Sequence, residues 1–158
     1  PDPDRLGFLA DGLGVRTAET DTWEDIFFRI YLERIEPHLG IGKATVLHSY
    51  PASMAALARL SPGDPRVADR FEIFVCGLEL ANGYGELTDA VEQRDRFATM
   101  TAQRIAQGRD PYPVDEEFLA ALTSGIPECA GIALGFDRLV MLAAGADRID
   151  DVLWAPVA

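Results

Sequence analysis

The sequence predicts an α+β fold, an antiparallel sheet flanked by helices of unequal length. Three stretches carry that expectation. Phe71 to Val75 alternates, with Phe71, Ile73 and Val75 on one face and Glu72 and Phe74 on the other, and a Cys76-Gly77 turn leads to a second strand over 78–87. Asp89 to Gln107 reads as a helix with firm ends, since Asp89 and Glu92 match a capping box and Gly108 supplies the stop. GIALGFDRLVML, from Gly131 to Leu142, reads as a Gly-rich buried strand turning into a buried helix over 137–144 that Gly145 ends. Helices and strands do not alternate as a regular βαβ series, so a parallel sheet is not expected.

The other elements follow in chain order. Residues 4–13 read as a short helix capped by Asp4, with Gly14 just past its end. A longer helix is expected over 20–36, with Asp21 as cap, an apolar face of Trp23, Ile26, Phe27, Ile30 and Ile35, and Pro37 as the stop. GIGKAT resembles the tail of a phosphate-binding loop, but Pro37 stands where the first Gly belongs and Ala44 where a Ser or Thr should hold magnesium. Residues 44–50 read as a buried strand whose His48 is structural, with only His38 to join it as a ligand. A short helix is expected over 53–60, a loop over 61–65 and a helix over 115–124, and the tail IDDVLWAP should return apolar residues to the core. Arg94, Asp95, Arg96 and Arg104 read as a solvated face.

Composition narrows the function. The chain has 158 residues, 48% hydrophobic and 25% charged, enough for a real core. A net charge of -12 argues against gripping a nucleic-acid backbone, which demands a basic face. A nucleotide held through a divalent cation and a few arginines stays open. No apolar run approaches the ~20 residues of a membrane span, and no signal-peptide pattern opens the chain. Cys76 and Cys129 are far apart and form neither a disulfide framework nor a zinc site, which fits a reducing cytoplasm. Pro1-Asp2-Pro3-Asp4 reads as a linker, so a piece of a longer protein is expected.

Chemistry concentrates in FEIFVCGLELANGYGELTDAVEQRDRF, from Phe71 to Phe97. Glu72 and Glu79 lie among apolar strand residues, where a carboxylate is costly without a compensating charge. Arg66 and Arg70 can supply it, and so can a divalent cation that keeps phosphate oxygens beside one or two protein acids. Asn82 and Glu86 read either as turn chemistry or as a pocket for a cationic group, with Tyr84 offering a cation–π face. Strict alternation puts Glu79 opposite to Asn82 and Glu86, so one shared site requires a bulge or twist, for which Gly83 is the candidate. Arg138 opens an apolar helix, a position that the helix dipole disfavours for a cation. Its partner is Asp137, another internal acid, or a nucleotide phosphate, and Gly131 and Gly135 permit close backbone approach there.

These blocks, with DEEFLAALTSGIPECAGIALGFDRLVML and PASMAALAR at 51–59, resemble the catalytic domain of class II lysyl-tRNA synthetases. They are more similar still to the shortened branch that ligates β-lysine to elongation factor P. The resemblance covers roughly Thr45 to Pro156, leaving residues 1–44 as a helical insertion or connecting segment and 45–158 as the C-terminal part of the catalytic domain. It implies ATP and Mg2+, with Glu72 and Glu79 as metal ligands, and Gly135 and Arg138 beside the nucleotide. It implies that Asn82, Tyr84, Glu86 and Ala133 line the amino-acid pocket, with Glu86 taking the side-chain ammonium and Arg138 and Glu79 serving catalysis. Ala133 resembles the ligase branch, where lysyl synthetases carry Gly, and one methyl shifts preference by ~1–3 kcal/mol. The implied reaction forms an aminoacyl-adenylate from lysine or β-lysine, then transfers it to a lysine of elongation factor P, or alternatively to tRNA. A non-catalytic synthetase-like binding module is the reading from another class. The family's first two motifs, including the arginine that grips the substrate carboxylate, are not in this sequence. The expectation is therefore that these residues alone form no adenylate, and that a homodimer forms through the preceding part.

Overall fold

The computed structural model describes residues 2–155, in two compact units. One comprises residues up to Val46, Ile73–Leu80 and residues from Gly135 onward; the other comprises Leu47–Glu72 and Ala81–Leu134.

In the first unit, α1 (Pro3–Gly12) is capped by Asp2, two positions earlier than the expected Asp4, because Pro3 occupies the first helical turn. Helix α2 (Trp23–Ile30) is capped by Thr22, which forms a reciprocal capping box with Asp25. The expected cap Asp21 instead accepts the Ala18 N–H at 2.8 Å and pairs with Arg29 at 2.8 Å. Trp23, Phe27 and Tyr31 stack in series at helical spacing, with centroids 5.4 and 6.2 Å apart. The helix does not run unbroken to Glu36. It loosens into a π turn at Tyr31–Ile35 and then tightens into a 3-10 turn, Glu36–His38, that contains Pro37. Ala10, Val15 and Ile26 form the small core under α1 and α2.

Strand β1 (Thr45–His48) is followed by a 3-10 turn at Ala52–Met54, where a helix over 53–60 was expected. Local propensity loses to tertiary hydrogen bonds here: the Arg59 N–H donates to Gly85 O at 2.8 Å, and the Leu87 N–H donates to Leu57 O at 3.0 Å. The expected loop at 61–65 is the tip of an unforeseen two-stranded hairpin, β2 (Leu60–Ser61) with β3 (Asp64–Ala68). Arg66 clasps Asp64 there and draws its carboxyl down to about 2.

Strand β4 (Arg70–Val75) turns into β5 (Leu78–Gly85) through Cys76 and Gly77, at φ 53 and 79. Positive φ at both central residues is the hairpin geometry that follows strand twist. With β6 (Ala130–Leu134) they complete a four-stranded antiparallel sheet in the order β1-β4-β5-β6, as the α+β expectation required. Helix α3 (Ala90–Ala106) is capped by Asp89, but Glu92 bonds Arg96 rather than closing the expected box. Arg96 is not a solvated side chain: it donates to the carbonyls of Ala56 and Ala58 at 3.0 and 2.7 Å. Helix α4 (Glu116–Thr123) pairs with α3 through Arg94 and Glu116.

Strand β6 and α5 (Phe136–Ala144) are less buried than expected. Ile132, Leu134 and Phe136 are 56%, 50% and 68% exposed, and Met141 is the buried residue of α5. Trp154 is fully exposed rather than returned to the core, and Pro156 lies outside the described residues. Both cysteines are reduced and exposed. Among the described residues no helix is long and apolar enough to cross a membrane.

Candidate active site

The sequence-predicted residues fall into two groups, one in each unit. In the second unit the β5–β6 pairing runs without a break from Ala81↔Leu134 to Gly85↔Ala130. Directly opposed residues share a face, so Asn82 stands beside Ala133, and Tyr84 beside Gly131. Gly83 therefore makes no bulge within this register. It lacks a side chain for another reason: a Cβ there would lie 2.5 Å from Cζ of Phe71.

Glu86 lies just beyond β5. Its N–H donates to Cys129 O at 3.0 Å, and an isolated bridge joins it to Ala58. Its carboxylate lies against Gly131, where a Cβ would come within 2.2 Å of Oε1. The glycine of β6 thus makes the room that Glu86 occupies beside Tyr84's strand partner.

Glu72 is buried, on the same face as Asn82, whose Nδ2 donates to Oε1 at 3.4 Å. The Arg70 guanidinium donates to the same oxygen at 2.7 Å, and the Tyr50 hydroxyl donates to Oε2 at 2.5 Å. Burial and three donors explain how a strand carboxylate is tolerated here. Arg70 was the compensating cation named as one option from the sequence. Glu72, Asn82, Tyr84, Glu86 and Ala133 are all brought to one face of this unit.

In the first unit, Glu79, the second residue of β5, meets Arg138 in the first turn of α5. Arg138 Nη1 donates to the Glu79 carbonyl at 2.5 Å, and the Glu79 carboxylate lies 3.9 Å away. Both side chains are close to half exposed, at 47% and 40%. An internal acid, rather than Asp137, thus faces the cation that the helix dipole disfavours. Gly135 caps α5, donates its N–H to Leu80 O at 2.9 Å, and would place a Cβ 3.3 Å from Arg138 Cδ. Glu79, Gly135 and Arg138 are therefore neighbours.

Carboxylate oxygens suit magnesium, which demands few protein ligands when phosphate oxygens and water complete its shell. Among the described residues no three His, Cys, Asp or Glu side chains converge on a metal position. The two oxygens of Glu72 are already donated to, and the Glu79 side chain is 40% exposed.

Sequence reasoning named Arg70 only as one candidate partner of Glu72, not as a contact of Asn82 or Tyr84, and gave Tyr50 no role. The usable signal was position: Arg70 and Glu72 are two residues apart on one strand, hence on one face. For Tyr50, beyond the end of β1, no local pattern pointed to Glu72.

The family of class II tRNA synthetases (D, K and N) matches residues 34–158. The chain belongs to this family. Among curated relatives, the class II chain is 51% identical over 141 residues to the elongation factor P–(R)-beta-lysine ligase of Proteus mirabilis, covering 89% of this chain and 43% of the relative. The enzyme of the same name from Sodalis glossinidius is 48% identical over 141 residues, covering 89% and 43%. That of Pectobacterium carotovorum is 46% identical over 142 residues, covering 90% and 44%. The class II chain thus spans less than half the length of these relatives.

Proposed function

We propose that the class II chain is part of an ATP-dependent ligase that activates lysine or β-lysine and transfers it to a lysine side chain of elongation factor P. The observation that carries this reading is the 51% identity across 89% of the chain to a relative named for that reaction. The acid pocket around Glu86 supports it, since a partly buried carboxylate beside Tyr84 suits an ammonium group. Ala133 is the strand partner of Asn82, so its methyl group would narrow that pocket.

In the first step, an oxygen of the amino-acid carboxylate attacks the α-phosphorus of ATP, and the bond to the bridging oxygen breaks to release pyrophosphate. In the second, the ε-amino nitrogen of the acceptor lysine attacks the acyl carbon, loses a proton and expels AMP. No side chain of the ligase itself forms a covalent intermediate. Glu86 holds the substrate ammonium, Asn82 and Tyr84 orient its chain, and Arg138 meets nucleotide charge that develops during displacement. Mg2+, held through Glu79, would neutralise phosphate charge. Glu72 meanwhile anchors the face through Arg70 and Tyr50. These reactants belong to the cytoplasm, and we assign the protein there.

The full-length protein tests the reading. With ATP and labelled lysine or β-lysine, label should move to elongation factor P and not to tRNA; transfer to tRNA alone would replace the ligase with a synthetase. Gly131→Ala should displace the Glu86 carboxylate and raise the amino-acid KM about tenfold, the scale of one lost charged hydrogen bond. An unchanged KM in ATP–pyrophosphate exchange would remove Glu86 from the pocket.

A further inference from the structure

Arg70 contacts two of the side chains assigned to the amino-acid pocket, Asn82 and Tyr84, and the buried Glu72 on the same face, yet is itself mostly hidden, with 17% of its side chain exposed. Its guanidinium spends each nitrogen on a different partner. Nη2 donates to Glu72 Oε1 at 2.7 Å, Nη1 donates to Met54 O at 2.9 Å, and Nε donates to Asn82 Oδ1 at 3.4 Å. The cation also lies 4.4 Å from the Tyr50 ring centroid and 5.8 Å from that of Tyr84. We propose that Arg70 is the positioning residue of the amino-acid pocket, fixing the Glu72 carboxylate, the Asn82 carboxamide and the Tyr84 ring in one arrangement.

The chemistry of the groups gives the reason. A guanidinium only donates, so the Asn82 oxygen must face it and the amide cannot flip without a donor–donor clash. That places Nδ2 toward Glu72 Oε1, at 3.4 Å, and leaves the second Nδ2–H as a donor for an acceptor atom of the substrate. Glu72 is held from its other side by the Tyr50 hydroxyl, so its two oxygens take different partners. Tyr50 and Tyr84 flank a delocalised, weakly hydrated cation, a place where lysine does not substitute. An ammonium has the charge but not the planar fork, so it cannot serve Met54 O, Glu72 and Asn82 together.

The inference rests on the pocket reading above, and its test separates the two. In the full-length protein, Arg70→Lys should raise the amino-acid KM about tenfold and leave the ATP KM within about twofold, since every hydrogen bond of Arg70 lies in the unit that carries Asn82, Tyr84 and Glu86. Tyr50→Phe keeps the ring beneath Arg70 and removes the donor to Glu72; it should give a smaller rise, about threefold, in the same KM alone. Glu86→Gln is the control for the pocket. If it raises the amino-acid KM while Arg70→Lys and Tyr50→Phe do not, Arg70 is no positioning residue. If Glu86→Gln is itself without effect, the pocket reading fails and the inference falls with it. Equal rises in both KM values would mark Arg70 as a general structural residue and overturn the proposal. Should Arg70→Lys fail to fold, Tyr50→Phe decides: a silent variant overturns the proposal and a selective rise supports it.

Discussion

Glu72 and Glu79 look alike in the sequence, two acids in apolar strands seven positions apart, but their surroundings differ sharply. Glu72 is 8% exposed as a residue and accepts from Arg70, Tyr50 and Asn82. Glu79 is 40% exposed at its side chain and faces Arg138 across 3.9 Å. The buried acid is held by a completed set of donors and contributes chiefly to order. The exposed one faces Arg138 in a half-exposed pair, where solvent screens the attraction.

The largest expected effect breaks that contrast from the buried side. Glu72→Ala leaves the Arg70 guanidinium without its anion in a mostly closed site, and should cost about 3–5 kcal/mol of folding stability by urea denaturation. A loss below about 1 kcal/mol would mean that water reaches Arg70 and that the network is not anchoring. Glu79→Gln should lower stability by less than ~1 kcal/mol in the same assay. In the full-length protein it should slow ATP–pyrophosphate exchange about a hundredfold, the scale of losing one charge-stabilising group. Exchange near the parent rate would take Glu79 out of the nucleotide site. The smallest effect concerns an exposed pair for reference. The folded pKa of Asp64 lies at about 2, drawn down by the hydrogen bonds from Arg66. Its contribution is present above the ordinary carboxylate pKa and is lost as pH falls through about 2. NMR titration should find that midpoint, and Arg66→Ala should return it to the ordinary range.

The sheet and its best-capped helix were legible because their signals are local. Alternation marks β4, the Cys76-Gly77 pair marks the turn, and Asp89 marks the start of α3. The segment 53–68 was not legible. Ser-Met-Ala-Ala-Leu-Ala-Arg-Leu favours helix locally, yet Ala56 sits at φ 53 and the backbone from Leu57 to Arg59 bonds to residues beyond position 84. Pro62, Gly63 and Pro65 hid the β2–β3 hairpin, since prolines demote a strand reading. At the site, Glu72, Asn82 and Glu86 could be named from their types and from the family resemblance. That one guanidinium ties Glu72 to Asn82 and Tyr84 could not be read, because Met54, Tyr50 and Asn82 are distant in sequence.

The carboxylate of Glu86 fills the volume where any side chain at position 131 would stand. Positions 86 and 131 are consequently one mutational unit. A larger residue at 131 has room only after the acid at 86 has been shortened or has moved, whereas shortening the acid first meets no such obstacle, so the order of the two changes matters.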